Sequence, residues 1–307
     1  MSALPAPRFP PRLAPGDTVA LAAPGGAVDP ERVRGAAALL ESRGLRVRLR
    51  KDLTASHRYL AGDDRRRLEE LRRALGDPEV RAVFLVRGGY GTQRLLACLR
   101  AEDLGHPRAV VGFSDNTALL DHLRRAGWAV LHGPHPRGDH PGELDAVLGC
   151  LGYYGEPARP AFLGLRLWSS GTRDRVVAEV GGGCLSLLAS SAGTPWSFHA
   201  TGRIVFLEDV NEPVYRLDRM LHQLRASGGL DDAAAVVFGK PETFLAPGQD
   251  PAHLEDLLAE FAASLPCAVL SGVSAGHGTP NLPLPFGPRA LLDPERGSLA
   301  FIEGVVP

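Results

Sequence analysis

Residues 109–125 read AVVGFSDNTALLDHLRR, and this stretch contains the junction that decides the fold. Ala109–Gly112 predicts a buried strand, and the apolar spacing over Asn116–Arg125 predicts a helix. Ser114 falls on the turn between them, where a hydroxyl is pushed out of the sheet toward the positive end of a helix. The next backbone N–H could bind an oxyanion, so the turn suits a nucleophile. A Ser–Asp pair before a helix is also an ordinary N-cap, and on this segment alone capping is the commoner explanation.

The alternation of strand and helix continues through the first half of the chain. Asp29 is predicted to cap the first helix, with Pro30 at its first position. Short apolar runs predict further strands at Thr18–Ala23, Leu45–Leu49, Ala82–Val86 and Ala129–His132. Helical apolar spacing lies between them, at Asp29–Arg43, Asp63–Leu75 and Thr92–Arg100. This order predicts an α/β fold, a parallel sheet with helices on both faces and ligands at the carboxyl ends of its strands.

The second half of the chain repeats the pattern after an interruption. From about His135 to Arg175 the sequence has scattered Pro, Gly and charge without a clear period, which predicts an irregular connection. The strands expected beyond it are Val176–Val180, Arg203–Leu207, Ala233–Phe238 and Ala268–Ser271. The helices expected there begin at Cys184 and span Val214–Ser227 and His253–Ser264. We therefore expect an N-terminal α/β domain over 1–150, a linker over 151–175, and a C-terminal α/β domain over 176–307.

Composition excludes several classes of protein. Lys plus Arg number 34 and Asp plus Glu 35, a net charge of −1, which argues against a nucleic-acid partner. No apolar run approaches the ~18 residues of a membrane helix, and Met1–Arg12 lacks the apolar core of a secretory signal. A disulfide framework or Cys-type zinc site is not expected, and a reducing cytoplasm fits, because no CxxC spacing links the four cysteines, Cys98, Cys150, Cys184 and Cys267.

A second glycine-rich turn occurs in VRGGYGTQRLL, residues 86–96. Gly88, Gly89 and Gly91 would let backbone amides approach a ligand or an oxyanion closely. A phosphate loop would need a Lys at a fixed position, and this stretch has none. The pair Gly25 and Gly26 is a weaker signal, because such pairs after a first strand are common in α/β folds.

Acidic and histidine residues supply the remaining candidates for acid–base chemistry. Glu208 ends the predicted strand RIVFLED, and either it or the adjacent Asp209 could orient a base or simply precede a helix. His277 lies in the loop SAGHGTPN, where glycines flank it, so it is a candidate base.

Two further groups of charged and histidine residues are better explained as solvated surface than as functional sites. His132, His135, Asp139 and His140 could suit a metal ion, but the prolines among them break any regular ligand spacing, so a solvated loop is expected. The helix bearing Arg65–Arg67, Arg72 and Arg73 also carries Glu69 and Glu70, a charge mixture typical of a solvated face.

Taken together, these segments resemble the LD-carboxypeptidase family of serine peptidases, which includes muramoyl-tetrapeptide carboxypeptidases and microcin C immunity peptidases. The similarity spans nearly the whole chain in order. RGGYG, GFSDNT and the LED block with Y-R-x-D-R-M-L are specific, whereas Gly25 stands where the family often has Ser. The blocks are PGDTVALAAP, YLAGDDRRRLEEL, RGGYGTQRLL, GFSDNTALL, LHGP, GGGCLSLLASSAGTPW, LEDVNEPVYRLDRMLHQL and GVSAGHGTPNLPLPFG.

The resemblance implies a Ser–Glu–His triad of Ser114 as nucleophile, Glu208 as orienting acid and His277 as base. It also implies an oxyanion hole made by the backbone N–H groups of Gly89 and Asp115. The implied fold is an N-terminal flavodoxin-like parallel sheet plus a smaller C-terminal α/β domain that carries Glu208 and His277. The implied activity is hydrolysis of an L,D-peptide bond in murein tetrapeptide, with release of a C-terminal D-residue, in a cytoplasmic homodimer without metal or other cofactor.

Recognition of the substrate's free carboxylate needs cationic or N–H partners, for which Arg87 and Gly88 are candidates. An immunity-type peptidase acting on aminoacyl or peptidyl nucleotides is an alternative within the same chemistry. Trp168, in the segment that resembles a substrate-shaping loop, could then stack on adenine. A non-catalytic α/β protein that binds a peptide or nucleotide, with Ser114 as a mere cap, is the alternative from another class.

Overall fold

The computed structural model describes residues 4–168 and 172–307. The strands are β1 Thr18–Ala22, β2 Arg46–Arg48, β3 Val80–Leu85, β4 Ala109–Gly112, β5 Val130–His132, β6 Ala161–Leu163, β7 Arg166–Leu167, β8 Val176–Cys184, β9 Ile204–Glu208, β10 Ala235–Gly239, β11 Ala268–Val273, β12 Leu284–Phe286, β13 Arg289–Asp293 and β14 Ser298–Phe301. The α-helices are α1 Pro30–Ser42, α2 Asp64–Gly76, α3 Gln93–Leu96, α4 Thr117–Arg125, α5 Pro141–Cys150, α6 Leu185–Ser190, α7 Val214–Ala226 and α8 Pro251–Ala263. Residues 1–3, in the stretch searched for a signal, and 169–171, in the predicted substrate-shaping segment, lie outside the described residues.

The N-terminal unit comprises residues 5–158, 282–287 and 304–307 and contains a six-stranded sheet. Its strand order is β12-β5-β4-β3-β1-β2, with β1 to β5 parallel and β12 antiparallel to β5. β1, β4 and β5 are buried along their whole length, which explains their continuous apolar sequence. One face packs against α1 and α5 in a shared core, while α2 and α4 also contact the strands. The predicted α/β class with a parallel sheet is confirmed.

The second unit consists mainly of residues 159–281 and 288–303 and contains an eight-stranded sheet. The order is β6-β14-β13-β8-β9-β10-β11-β7, in which β8 to β11 are parallel and the flanking strands antiparallel. Buried leucines of α6, α7 and α8 form a core with β9, β10 and β11. The prediction of a second α/β unit is also confirmed.

Local sequence signals explain where the first helices begin. Asp29 caps α1 by accepting a hydrogen bond of 2.7 Å from Glu31 N, and Pro30 is the first helical residue, as predicted. Asp63 caps α2 in the same way, accepting from Arg66 N at 2.7 Å. Both caps satisfy N–H groups that have no partner within the helix.

The expectation of an irregular connection from His135 to Arg175 is wrong in part. The helix α5 begins at Pro141, and the short strands β6 and β7 follow it. Gly142 and Gly149 lower the helix propensity of α5, so its sequence lacked a clear helical signal. The helix expected over Thr92–Arg100 is also shorter in the structure, which ends α3 at Leu96 and adds a 3₁₀ turn at Ala101–Asp103.

The division into units differs from the expected boundaries of 1–150, 151–175 and 176–307. The structure separates the units near residue 158 and returns residues 282–287 to the N-terminal sheet as β12. This strand has Pro285 at its centre and forms the edge of the sheet, the position where a strand tolerates a missing N–H. A three-residue strand with a proline at its centre has no recognisable strand pattern in its sequence. Within residues 4–168 and 172–307, no helix is both long and apolar enough to cross a bilayer.

Candidate active site

Ser114 lies on a tight turn directly after β4 and before α4. Its φ of +61° is in the left-handed region, which residues other than glycine rarely adopt. Phe113 is the N-cap of the 3₁₀ turn at Ser114–Asn116 and Asn116 is the N-cap of α4, so neither Ser114 nor Asp115 occupies an N-cap position. The simple capping interpretation of Ser114 and Asp115 is therefore not supported. Strained backbone of this kind clusters at functional sites.

The glycine-rich turn after β3 lies against the Ser114 turn. A Cβ atom added at Gly88 would lie 2.7 Å from Ser114 Cβ and 2.8 Å from Ser114 Oγ, so no larger residue fits without displacement. The same position is 3.2 Å from the backbone nitrogen of Asp115. Gly89 follows with a φ of +88°. The two predicted oxyanion-hole residues, Gly89 and Asp115, thus belong to loops that contact each other beside Ser114.

The Asp115 carboxylate holds these loops together. Its Oδ2 atom accepts hydrogen bonds from Thr92 N at 2.9 Å and Thr92 Oγ1 at 2.6 Å. The loop after β1 also packs here, because a Cβ at Gly25 would lie 2.6 Å from Asp115 Oδ2, and Gly26 N donates to Gly88 O at 2.9 Å. Burial raises the pKa of Asp115, although the hydrogen bonds from Thr92 oppose the shift. The carboxyl ends of β1, β3 and β4 therefore form one interlocked cluster of loops.

A buried arginine of α2 supports the same cluster, and sequence reasoning missed it. The Arg67 side chain is fully buried and donates to the carbonyl oxygens of Pro24 and, at 2.8 Å, Gly91. The expectation that the arginines of this helix form a solvated face is wrong at Arg67. Leu71 and Leu75 follow it at steps of four, so the apolar stripe of α2 runs directly into Arg67. That spacing was the available signal.

Glu70 is a second buried charge of α2 under these loops. Its carboxylate accepts a hydrogen bond of 2.6 Å from Ala23 N and forms an ion pair of 2.7 Å with Arg66. Burial raises the pKa of Glu70, and the charge of Arg66 opposes the shift. Both α2 residues act on backbone groups of the loops, so they are positioning residues.

The second unit contains an acid–histidine pair. Glu208 is the last residue of β9, and His277 lies in the loop after β11. Glu208 Oε2 accepts hydrogen bonds from His277 Nδ1 at 2.7 Å and from His277 N at 3.1 Å. An ionised carboxylate can only accept, so the pairing assigns the proton to Nδ1 and leaves Nε2 as the imidazole's basic atom.

Backbone geometry and burial hold this pair in place. The Glu208 side chain is 1% exposed and that of His277 18%, so the imidazole alone reaches solvent. Gly276 has a φ of +94°, and a side chain at this position would collide with the Glu208 carboxylate. Asn281 Oδ1 accepts a hydrogen bond from Gly276 N at 2.9 Å and fixes the loop.

The environment makes His277 a stronger base than an ordinary histidine. Burial by itself lowers the pKa of His277, but the hydrogen bond and charge of Glu208, helped by the charge of Asp209, outweigh it and raise the pKa. Asp209 has a different role: its carboxylate accepts from Ser186 N at 2.8 Å and from Val210 N at 2.9 Å. Of the two acids that the sequence left open, Glu208 is the one that contacts the imidazole.

Two domains that define one protein family match most of the chain. The LD-carboxypeptidase N-terminal domain matches residues 19–133, and the LD-carboxypeptidase C-terminal domain matches residues 177–292. The chain belongs to the LD-carboxypeptidase family. The probable murein peptide carboxypeptidase of Bacillus subtilis (strain 168) is 33% identical over 304 residues, covering 96% of this chain and 95% of that protein. The murein tetrapeptide carboxypeptidase of Pseudomonas aeruginosa is 34% identical over 295 residues, covering 91% and 94%.

Solved structures of similar proteins agree with this LD-carboxypeptidase fold. The muramoyltetrapeptide carboxypeptidase from Oxalobacter formigenes has a TM-score of 0.75 at 29% identity, covering 92% of this chain and 97% of that chain. The structure of MccF in complex with glutamyl sulfamoyl guanosine has a TM-score of 0.84 at 20% identity, covering 98% and 100%. The second likeness is one of fold alone.

In this LD-carboxypeptidase the predicted site residues fall into two groups. Arg87, Gly88, Gly89, Ser114 and Asp115 all lie in the N-terminal unit, at the carboxyl ends of β3 and β4. The second group lies in the other unit and consists of Glu208, His277 and Trp168. Arg87 is exposed, and its guanidinium donates to the backbone oxygen of Ala27.

Trp168 lines a cavity of about 480 Å³ in the second unit, together with Pro241, Leu254 and Ser271. Its indole Nε1 donates to Ser271 Oγ at 2.8 Å. The Arg166 guanidinium lies over the indole ring, 3.9 Å from its centroid, and a cation in this position occupies one face of the ring. A planar ligand could stack on this face only after Arg166 moved.

The histidine cluster of the N-terminal unit is built into the fold. His132 and His135 are buried, and His135 Nδ1 bonds to the backbone oxygen of Leu85. The His135 ring also packs on Phe113 with centroids 4.5 Å apart, while His140 is partly exposed beside Asp139. Within the described part of the chain, no group of three or more His, Cys, Asp or Glu side chains is arranged to hold a metal ion. The solvated-loop expectation is therefore wrong for His132 and His135, which pack in the interior.

Proposed function

We propose that this LD-carboxypeptidase hydrolyses the amide bond between an L-centre and a C-terminal D-residue, with murein tetrapeptide as substrate and D-alanine as product. The family membership supports the reaction class, and the names of the relatives from Bacillus subtilis and Pseudomonas aeruginosa support the substrate. The observation that carries the proposal is the buried 2.7 Å hydrogen bond between Glu208 and His277. Such a pair activates a hydroxyl nucleophile.

The proposed mechanism begins with Ser114, whose hydroxyl attacks the carbonyl carbon of the scissile bond as His277 Nε2 takes its proton. Glu208 keeps the proton of the neutral imidazole on Nδ1 and stabilises the imidazolium that forms. The collapse of the tetrahedral intermediate breaks the C–N bond, and His277 returns the proton to the leaving amine. Water, deprotonated by the same imidazole, then releases the acyl group from Ser114.

The oxyanion of the tetrahedral intermediate is proposed to bind between the backbone N–H groups of Gly89 and Asp115. Gly88 supports this assignment, because its lack of a side chain leaves room beside both Ser114 Oγ and the Asp115 nitrogen. Removing one donor from an oxyanion hole typically raises the barrier by about 3–4 kcal/mol. The Asp115 carboxylate and Arg67 would act indirectly, since they hold the loops that carry these donors.

Hydrolysis of an aminoacyl or peptidyl nucleotide is the second candidate function. The microcin C7 self-immunity protein MccF of Escherichia coli, 24% identical over 329 residues with 95% of this chain and 94% of that protein covered, is the relative that favours it. The Arg166 guanidinium weakens the case for it, because it occupies one of the two faces of Trp168 on which adenine could stack.

Mass spectrometry of the products distinguishes the two candidates. The protein is incubated separately with murein tetrapeptide and with glutamyl sulfamoyl adenosine, at equal concentrations. The proposal predicts loss of D-alanine from the tetrapeptide at a rate far above that of the nucleotide conjugate. Cleavage of the conjugate alone would replace the murein substrate by the nucleotide one.

We also propose that the protein works in the cytoplasm, in the recycling of cell-wall peptides, as a homodimer. All four cysteines are free thiols, which supports a reducing compartment. The dimer rests on the family resemblance. Light scattering coupled to size-exclusion chromatography tests it, and a mass of one chain would contradict it.

A further inference from the structure

Two arginines meet at the carboxyl end of β3 in the N-terminal unit. Arg32 extends from α1 and donates through Nε to the backbone oxygen of Val86 at 3.0 Å. The next residue, Arg87, donates to Ala27 O, and its Nε lies 3.5 Å from the position of a Cβ at Gly26. These hydrogen bonds fix both guanidinium groups through neutral backbone oxygens.

The charges around these arginines are only partly balanced. For Arg32 and Arg87, the structure of residues 4–168 and 172–307 contains no carboxylate within ion-pair distance. Arg137 also acts on Arg32 through its charge, and its own contacts with Asp139 and Glu143 are long, at 3.6 and 3.9 Å.

The charges of other arginines act on Arg32. Burial lowers the pKa of Arg32, and the charges of Arg137 and Arg87 lower it further, while Asp139 opposes them. An anion bound among like charges would relieve their repulsion and form charge-assisted hydrogen bonds.

The cluster is adjacent to the nucleophile turn. Arg87 is directly followed by Gly88, the residue that packs against Ser114 Cβ and Oγ. The Arg87 Nε atom is also 3.9 Å from the position of a Cβ at Gly89, one of the proposed oxyanion donors. A substrate whose scissile carbonyl reached Ser114 would place its last residue within a few ångströms of this charge.

We propose that Arg32 and Arg87 form a cationic subsite that binds the free carboxylate of the substrate's terminal D-residue. This inference rests on the proposed function and adds the determinant that makes the enzyme a carboxypeptidase. The planar guanidinium forks of arginine match the geometry of a carboxylate. A peptide extended beyond the D-residue, or one ending in an amide, has no negative charge to place there.

The test compares murein tetrapeptide with the same peptide carrying a C-terminal carboxamide. The measured quantity is the ratio of kcat/KM for the acid to kcat/KM for the amide. Arg32→Gln is expected to lower this ratio by roughly 10- to 100-fold, the effect of losing a hydrogen bond to a charged group. Arg32→Lys keeps the charge but loses the fork, so an intermediate ratio is expected.

Arg34→Gln is the matched control, because Arg34 lies on the same helix but is exposed and pairs with Glu31 across 3.6 Å. It should leave the ratio unchanged. Arg87 itself is not varied, since it also holds the Ala27 loop. Thermal melting confirms that each variant is folded, and the amide substrate reports any general damage to the active site.

The outcomes separate this inference from the function beneath it. Release of D-alanine by the wild type, with an acid-to-amide ratio that is unchanged in Arg32→Gln, would overturn the subsite and leave the proposed function intact. A wild type that releases nothing from either peptide would overturn the proposed function and the subsite together.

Discussion

Replacing Glu208 by Gln removes a negative charge that lies 2.7 Å from His277 Nδ1. The charge matters most when the imidazole becomes an imidazolium in the transition state. Two unit charges about 4 Å apart attract each other by about 4 kcal/mol at an effective dielectric constant near 20, which suits this largely buried pair. Loss of that attraction predicts a fall in kcat of about a thousandfold for Glu208→Gln.

The pH dependence gives a second readout of the same variant. His277 must be neutral to act as a base, so kcat/KM falls as the pH drops through its pKa. The wild-type pKa is raised, chiefly by Glu208 against the effect of burial. In Glu208→Gln burial opposes only the weaker charge of Asp209, so the acid limb of the profile should move to lower pH.

The assay is D-alanine release from murein tetrapeptide, measured by mass spectrometry across the pH range in which histidine titrates. Glu260→Gln, the same exchange at an exposed position of α8, is the control and should match the wild type. A Glu208→Gln enzyme within tenfold of the wild-type kcat, with its acid limb unmoved, would refute the reasoning.

Three further predictions concern the loops around the nucleophile and the need for metal. Gly88→Ala forces a methyl group against Ser114, so activity should be lost and the free energy of unfolding should fall by about 1–3 kcal/mol. Gly35 has open space around it in α1, so Gly35→Ala should instead raise the free energy of unfolding by up to about 1 kcal/mol, as measured by urea titration. Arg67→Met leaves two loop carbonyls without their donor and should lower the free energy of unfolding by about 2–5 kcal/mol. Arg65 is exposed, so Arg65→Met should change that free energy by less than about 0.5 kcal/mol. Equal effects of the two variants would contradict the buried role of Arg67. Treatment with EDTA should leave D-alanine release unchanged, and a loss of activity that zinc restores would contradict the metal-free mechanism.

Much of the fold could be predicted from the sequence, because many buried strands are continuous apolar runs and several helices show apolar residues at helical spacing. The strand Ala109–Gly112 was predicted with the bounds that the structure has, and Asp29 was correctly predicted as a cap. The helix α5 was missed because Gly142 and Gly149 weaken its helical signal. The edge strand β12 was missed because its pairing with β5 depends on a contact between distant parts of the chain.

The candidate site shows the same division between local and long-range information. The turn at Ser114 could be predicted, since a strand end and a helix start bracket it. The choice of Glu208 over Asp209 could not be made from adjacency alone, because the fold decides which carboxylate meets His277. The burial of Arg67 was not predicted, because the mixed charges of α2 indicated an exposed helix face. Its position on the apolar stripe of α2 indicated the opposite.

The most direct test of the central claim is the rate of D-alanine release from murein tetrapeptide by Ser114→Ala, compared with the wild type in the same assay. With the hydroxyl gone no acyl-enzyme can form, so we predict no release above the uncatalysed background from a protein whose thermal unfolding still shows a folded state. Release at a rate near that of the wild type would mean that another group attacks the carbonyl, and the serine mechanism would be contradicted.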